Sequence, residues 1–403
     1  MHSPTDKAAG QEIGTRRADA PILSPHIIFL FSLTCALAVG NVYSAQPILE
    51  SIAVSLDVSP GTMGAVITAT QTGYALGLIL LVPLGDRFDR KTLVITQLLL
   101  SVLALCAAAF ATTLMMLLGA MLLVGLMAVV AQLTVAWGAM LAAPLQRGKV
   151  VGSITSGIVS GILLARVVSG AIADLAGWRA VYLTAAILLL LVSLTLAKVM
   201  PATASATPRI SYPALVRSVF SLFITEPLLR KRGILALLIF AAFSMLWTSM
   251  VLPLSALSLS HTQTGMFGLA GVAGALAASR AGIWADRGME QRASGIALVL
   301  LTFSWLPSAF PDTSLLLLIF GTLVLDFAVQ TVHVINQSTI IAARPDAASR
   351  LVGAYMCFYS LGSALGAITA TQLYALWGWP SVCCAGALVS ACAFLFWLGS
   401  RHA

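Results

Sequence analysis

Asp326 lies near the middle of a long apolar run in this 403-residue chain, and no other acid does. At bilayer depth an ionised carboxylate costs about 2.5 to 3.5 kcal/mol on insertion scales; a bound proton removes that cost, so an acid so placed is suited to loading and releasing protons. Gln330, His333 and Gln337 follow at i+4, i+7 and i+11, and the helical period gathers all four side chains in a narrow sector. A polar stripe on an otherwise apolar helix reads as the wall of a cavity. His333 is a second titrating group on that wall, about 10 Å along the helix from Asp326. The alternative for Asp326 is a structural acid hydrogen-bonded across helices, to Arg166 or Gln132.

Arg166 stands deep within another apolar run, where a permanently charged guanidinium must reach a partner or a water-filled cavity. It either binds an anionic group or tunes a nearby acid, or it forms a structural pair or snorkels. Other polar side chains at mid-run depth are Asn41, Tyr43, Gln46, Gln71, Gln132, Trp247 and Tyr359. With Arg166, Gln330 and Gln337 they form the expected lining of a substrate cavity, each with an interhelical hydrogen bond as the alternative. Gly148-Lys149 is followed by Val150 and lacks an upstream glycine, so no phosphate-binding loop is present to drive ATP hydrolysis. No His/Cys cluster has metal-site spacing, and the six cysteines all fall inside apolar runs. No enzymatic activity, cofactor or metal is expected.

The elements that must hold these residues follow from composition. Hydrophobic residues make up 59% of the chain and charged residues 9%, against roughly 25% charged in an ordinary soluble domain. At roughly 20 apolar residues per bilayer crossing, 403 residues allow about twelve spans. Apolar runs predict them at 26–50, 61–84, 92–111, 114–142, 149–173, 179–199, 233–257, 263–285, 293–310, 314–341, 350–373 and 379–399. The fold class is therefore an all-α polytopic membrane protein, twelve transmembrane helices in two pseudo-symmetric sixes. Residues 1–24 read as a disordered tail, 25–199 as the first bundle, 200–232 as a linker and 233–403 as the second bundle.

Nineteen of the 22 lysines and arginines fall on one side of these spans, which places both termini and the linker in the cytoplasm of a cell lying inside this membrane. The formal charge of +8 serves that orientation and not nucleic-acid binding. The two sixes also repeat one another. Asp86-Arg87 recurs as Asp286-Arg287, while Gly152, Gly161, Gly177 and Trp178 recur as Gly353, Gly362, Gly378 and Trp379. The offsets are 286 − 86 = 200 and 353 − 152 = 201.

Asp86, Arg87, Arg90 and Lys91 between the second and third spans, with Gly282, Asp286 and Arg287 in the second half, carry a resemblance to the major facilitator superfamily over nearly the whole chain. Val82 and Asp89 stand where that family's motif has glycines. The chain is most similar to the twelve-helix drug:proton antiporter branch, through Gly152 and Gly161 of the fifth span, although Ala165-Arg166 and Ser169-Gly170 replace that signature's Gly-Pro and Gly-Gly. The resemblance implies alternating access, a monomer, and a gating role for the first motif. Asp86 would meet the start of the eleventh helix and Asp286 the start of the fifth. It also implies a titrating acid on the tenth helix. The resulting expectation is a proton-coupled exporter of small amphipathic or hydrophobic compounds in the cell (inner) membrane. A proton-linked or facilitative uptake permease and a non-transporting receptor are the alternatives.

Overall fold

The computed structural model describes residues 24–86, 88–142, 147–200, 211–286, 288–311, 314–343 and 348–400, and every regular element among them is helical. Among the described residues, ten helices are long and apolar enough to cross a membrane. Six precede the linker: Pro25–Leu56, Pro60–Gly85, Arg90–Ala109, Leu114–Leu141, Val150–Ala176 and Trp178–Val199. Pro227–Ala256 is the seventh span, and Leu315–Ala343, Arg350–Trp377 and Trp379–Ser400 are the tenth to twelfth. The eighth and ninth spans are built from shorter helices that are not among these ten. The eighth is made of His261–Met266, Phe267–Ala270 and Gly271–Asp286, and the ninth of Glu290–Phe303 followed by Trp305–Ser308. Both pack against the tenth span, an arrangement that fits the expected twelve-span order.

The linker stretch is partly helical, over Tyr212–Thr225. The seventh span starts at Pro227 and not at 233, since a proline is tolerated in a first turn whose N–H groups lack intrahelical partners. The first span breaks at Ser44–Ala45 ahead of the tight turn Gln46–Ile48, which contains Pro47; the seventh breaks at Met250, just before Pro253.

The sequence repeat is a repeat of backbone conformation. Gly177 and Gly378 have φ of 80° and 73°, a left-handed geometry that suits glycine, and each ends one span one residue before a tryptophan opens the next. Asp57 and Ser258 also share positive φ, 53° and 61°, at the same offset of 258 − 57 = 201. Their types differ, so sequence comparison does not pair them. Gly161 lies against the backbone of Ala36 and Gly362 against that of Leu237, and 362 − 161 = 237 − 36 = 201. The first and fifth spans thus meet as the seventh and eleventh do, backbone on backbone, where small residues let membrane helices approach.

A methyl group at Gly161 or Gly362 has no room, whereas at Gly152 and Gly353 nothing lies within 4 Å. Gly161→Ala and Gly362→Ala are each expected to destabilise the protein by about 1 to 3 kcal/mol through overpacking. Gly152→Ala and Gly353→Ala should leave the melting temperature of detergent-purified protein unchanged. Equal melting temperatures for all four variants would show that the close contacts do not bear on stability.

Candidate functional site

The first, second, fourth, fifth, seventh, eighth, tenth and eleventh spans surround a cavity of about 350 Å³. Its walls are mostly aliphatic and aromatic, among them Val39, Val42, Ile158, Ile162, Phe240 and Phe243. Asp326, Gln330, His333 and Gln337 all face it from the tenth span, as do Tyr43, Gln71, Gln132, Arg166 and Tyr359 from five other spans. Asn41, Gln46 and Trp247 are buried but do not line it. Gln46 and Trp247 stand behind the lining and hold its two charged side chains.

Those two charges are almost wholly enclosed: Arg166 is 2% and Asp326 3% exposed. Arg166 Nε donates to Gln46 Oε1 at 2.7 Å, and Trp247 Nε1 donates to Asp326 Oδ1 at 2.9 Å. Here 247 − 46 = 201, so pseudo-equivalent positions of the first and seventh spans each anchor one charge. The Arg166 guanidinium also lies over the Trp247 ring, 3.7 Å from its centroid, with the Tyr43 and Phe243 rings at 5.1 and 5.8 Å. Trp247 therefore serves the cation with its face and the anion with its N–H. No direct Arg166–Asp326 ion pair is formed among the described residues, and Arg166 Nη2 is buried without a hydrogen-bond partner.

The partners considered from sequence for Asp326 are corrected accordingly: neither Arg166 nor Gln132 bonds to it. Gln132 Nε2 instead donates to the Tyr74 hydroxyl at 3.2 Å. His333 belongs to a separate network: its Nδ1 is 3.1 Å from the Tyr355 hydroxyl, and its ring packs edge-on against Phe240 at 5.0 Å. Tyr355 is also met by Asn336 Nδ2 at 3.5 Å, and Arg232 Nη1 donates to Asn336 Oδ1 at 3.3 Å. The Tyr43 and Tyr359 hydroxyls share a hydrogen bond that joins the first span to the eleventh across the cavity. Among the cavity residues that sequence reading missed are Phe240 and Phe243. With Trp247 they sit at i, i+3 and i+7 of the seventh span, an aromatic stripe that helical spacing alone could have revealed.

On the face opposite the linker the two sixes are fastened by a carboxylate. Asp174, near the end of the fifth span, accepts from the His261 N–H at 3.0 Å, the Thr262 N–H at 2.7 Å and the Thr262 hydroxyl at 2.5 Å. It thereby caps the first helix of the eighth span with an acceptor from the other half, where orphan N–H groups favour an anion. The second–eleventh seam is fastened by a neutral bond, Gln372 Nε2 donating to the Gly61 carbonyl at 3.0 Å.

Of the motif residues, Gly282 lies in the helix Gly271–Asp286, and Asp86 closes the turn Val82–Asp86. The side chains of Asp86 and Asp286 and the whole of Arg87 and Arg287 lie outside the described residues. Arg90 opens the third span, and Asp89, where the family motif has glycine, caps that helix by accepting the Thr92 N–H at 2.8 Å.

The model of the Major Facilitator Superfamily matches residues 29–366. Transporter YgaY of Escherichia coli K12 is 44% identical over 383 residues, covering 94% of this chain and 97% of that protein. Transporter SCO4007 of Streptomyces coelicolor is 28% identical over 394 residues, covering 94% and 89%. Among solved structures, a bacterial homologue of the human lysosomal transporter Spinster, in an inward-facing and occupied conformation, superposes with a TM-score of 0.77 at 14% identity, over 93% of this chain and 96% of that one. With twelve spans in two repeating sixes around a mid-depth cavity, and a family match over most of its length, this chain is a multi-pass membrane transporter of the Major Facilitator Superfamily.

Proposed function

We propose that the chain is a proton-coupled secondary transporter that moves small amphipathic or hydrophobic compounds by alternating access, with Asp326 as its proton site. The observation that carries this reading is a buried carboxylate on the wall of a largely apolar cavity enclosed by both sixes. The cavity's apolar lining suits a compound with more hydrocarbon than polar surface. Export is the direction that the fifth-span glycines support. Proton-linked or facilitative uptake is the second reading, favoured by the fifth span itself: Arg147–Ala176 is one uninterrupted helix where the antiporter signature would kink it at proline.

Membrane vesicles of known sidedness test both. Under an imposed pH gradient, addition of a transported compound from a broad toxin and metabolite panel should move protons. Efflux of protons from everted vesicles loaded with acid supports export by exchange, and acidification of right-side-out vesicles supports uptake. Flux without proton movement would overturn the coupling.

The chain is assigned to the cell (inner) membrane as a monomer, with Asp86, Arg87, Arg90, Gly282, Asp286 and Arg287 as its gate on the linker side. Reporters fused after residue 215 and at the C-terminus should both be cytoplasmic, and one inserted at Asp57 external, because the basic residues cluster on the linker side. An external linker would sink this orientation.

A further inference from the structure

We propose that the compound carried in this cavity is a monoanionic organic acid whose carboxylate is held by Arg166, and that it binds together with a proton on Asp326. The inference rests on Asp326 being the proton site. Its first support is the state of the guanidinium. Arg166 is 2% exposed and lines the cavity, its Nε is engaged by Gln46, and its Nη2 has no acceptor. Buried cations are ordinarily paired, and no carboxylate reaches this one among the described residues.

The second support is geometric. The guanidinium lies over the Trp247 ring at 3.7 Å, with the Tyr43 and Phe243 rings further out. Apart from the Nε bond to Gln46, its N–H groups have no hydrogen-bond partner among the described residues, and a forked pair of such groups matches a planar carboxylate. An organic acid with an apolar body then finds Val39, Ile158, Ile162 and Phe240 for the remainder of its surface.

The third support is the balance of charge. The groups facing the cavity are Tyr43 and Tyr74 from the first and second spans, Arg166 from the fifth, Asp326 and His333 from the tenth, and Tyr359 from the eleventh. Among the described residues, the fourth, seventh and eighth spans add no ionisable lining residue. Tyrosine hydroxyls stay protonated at neutral pH, so among the described lining residues Arg166, Asp326 and His333 set the sign, and while the imidazole is neutral the first two decide it. With Asp326 ionised the two charges cancel and a carboxylate entering beside it is repelled. With Asp326 protonated Arg166 is uncompensated, and the carboxylate restores neutrality. Proton and anion therefore each strengthen the binding of the other, by the same factor. Two ligands that bind together travel together, which agrees with the uptake direction rather than with exchange.

The test is equilibrium binding to the purified full-length protein in lipid nanodiscs. The probes are benzoate, phenylacetate and hexanoate, with the corresponding primary amides as uncharged controls, at acidic and alkaline pH. The carboxylates are expected to bind and the amides not, with carboxylate binding tightened about tenfold by acidification. Asp326→Asn should hold the tight affinity at both pH values, and Arg166→Gln should remove carboxylate binding. Because Arg166→Gln could fail to fold, the Asp326→Asn arm carries the test independently. Failure of all three carboxylates to bind wild type, equal binding of amides, or affinity indifferent to pH would overturn the proposal. Any of these could occur while the vesicle measurements still show proton movement, in which case the substrate class fails and the proton site stands.

Discussion

Asp326→Asn should abolish accumulation of substrate against its gradient in proteoliposomes with an imposed pH difference, the ratio of internal to external substrate falling to about one. Exchange of labelled for unlabelled substrate should continue. Asparagine keeps the shape of the side chain and an oxygen that can accept from Trp247 Nε1, so the 2.9 Å bond can persist. What it loses is titration. A carrier that can load and reorient but cannot bind its proton equilibrates its substrate and does no uphill work. If the mutant still concentrates substrate, Asp326 is not the coupling site. His333, tied to Tyr355 and not to Asp326, offers the companion test. Uphill transport by His333→Gln would leave the coupling to Asp326 alone.

Asp174→Ala should shift the protein toward states open on the face opposite the linker. Asp174 supplies three acceptor contacts to the first residues of the eighth span, and removing a cap of this kind costs about 0.5 to 2 kcal/mol. The cost falls only on the conformation in which the fifth and eighth spans touch, so it becomes a change of about two- to thirtyfold in the equilibrium between conformations. Spin labels at Val54 and Leu376, exposed residues near that face on opposite halves, would report it in a variant without native cysteines. A longer distance component that grows in Asp174→Ala, and much less in Asp174→Asn, is the expected result. An unchanged distribution would mean that the cap does not hold this seam.

The spans and the polar stripe of the tenth helix were legible because both depend on period and length. Asp326, Gln330, His333 and Gln337 follow helical spacing, and that spacing alone puts them on one wall. What holds the charges was not legible. Trp247 in an apolar run resembles any buried aromatic, and only the crossing of the seventh span beside the fifth and tenth brings its ring to Arg166 and its N–H to Asp326. The same limit explains the seam. Motif resemblance directs attention to Asp86 and Asp286, whereas Asp174 is a lone acid near a helix end, with no pattern around it. Its role comes from a helix start 87 residues away in the chain. The 201-residue repeat was visible where glycine and tryptophan recur, and invisible at Asp57 and Ser258, where only the backbone is shared.

Trp247 has a consequence for how the protein can be observed. Excitation of an indole redistributes electron density between its two rings, so its emission responds to charges fixed nearby. One side of this indole is set against a guanidinium and its nitrogen against a carboxylate, both shielded from water. A proton arriving at Asp326 removes one of the two charges without displacing the ring. Arrival of the proton should therefore register as a change of colour from within the protein, and replacing the other seven tryptophans would leave a carrier that signals its own loading, with no dye attached.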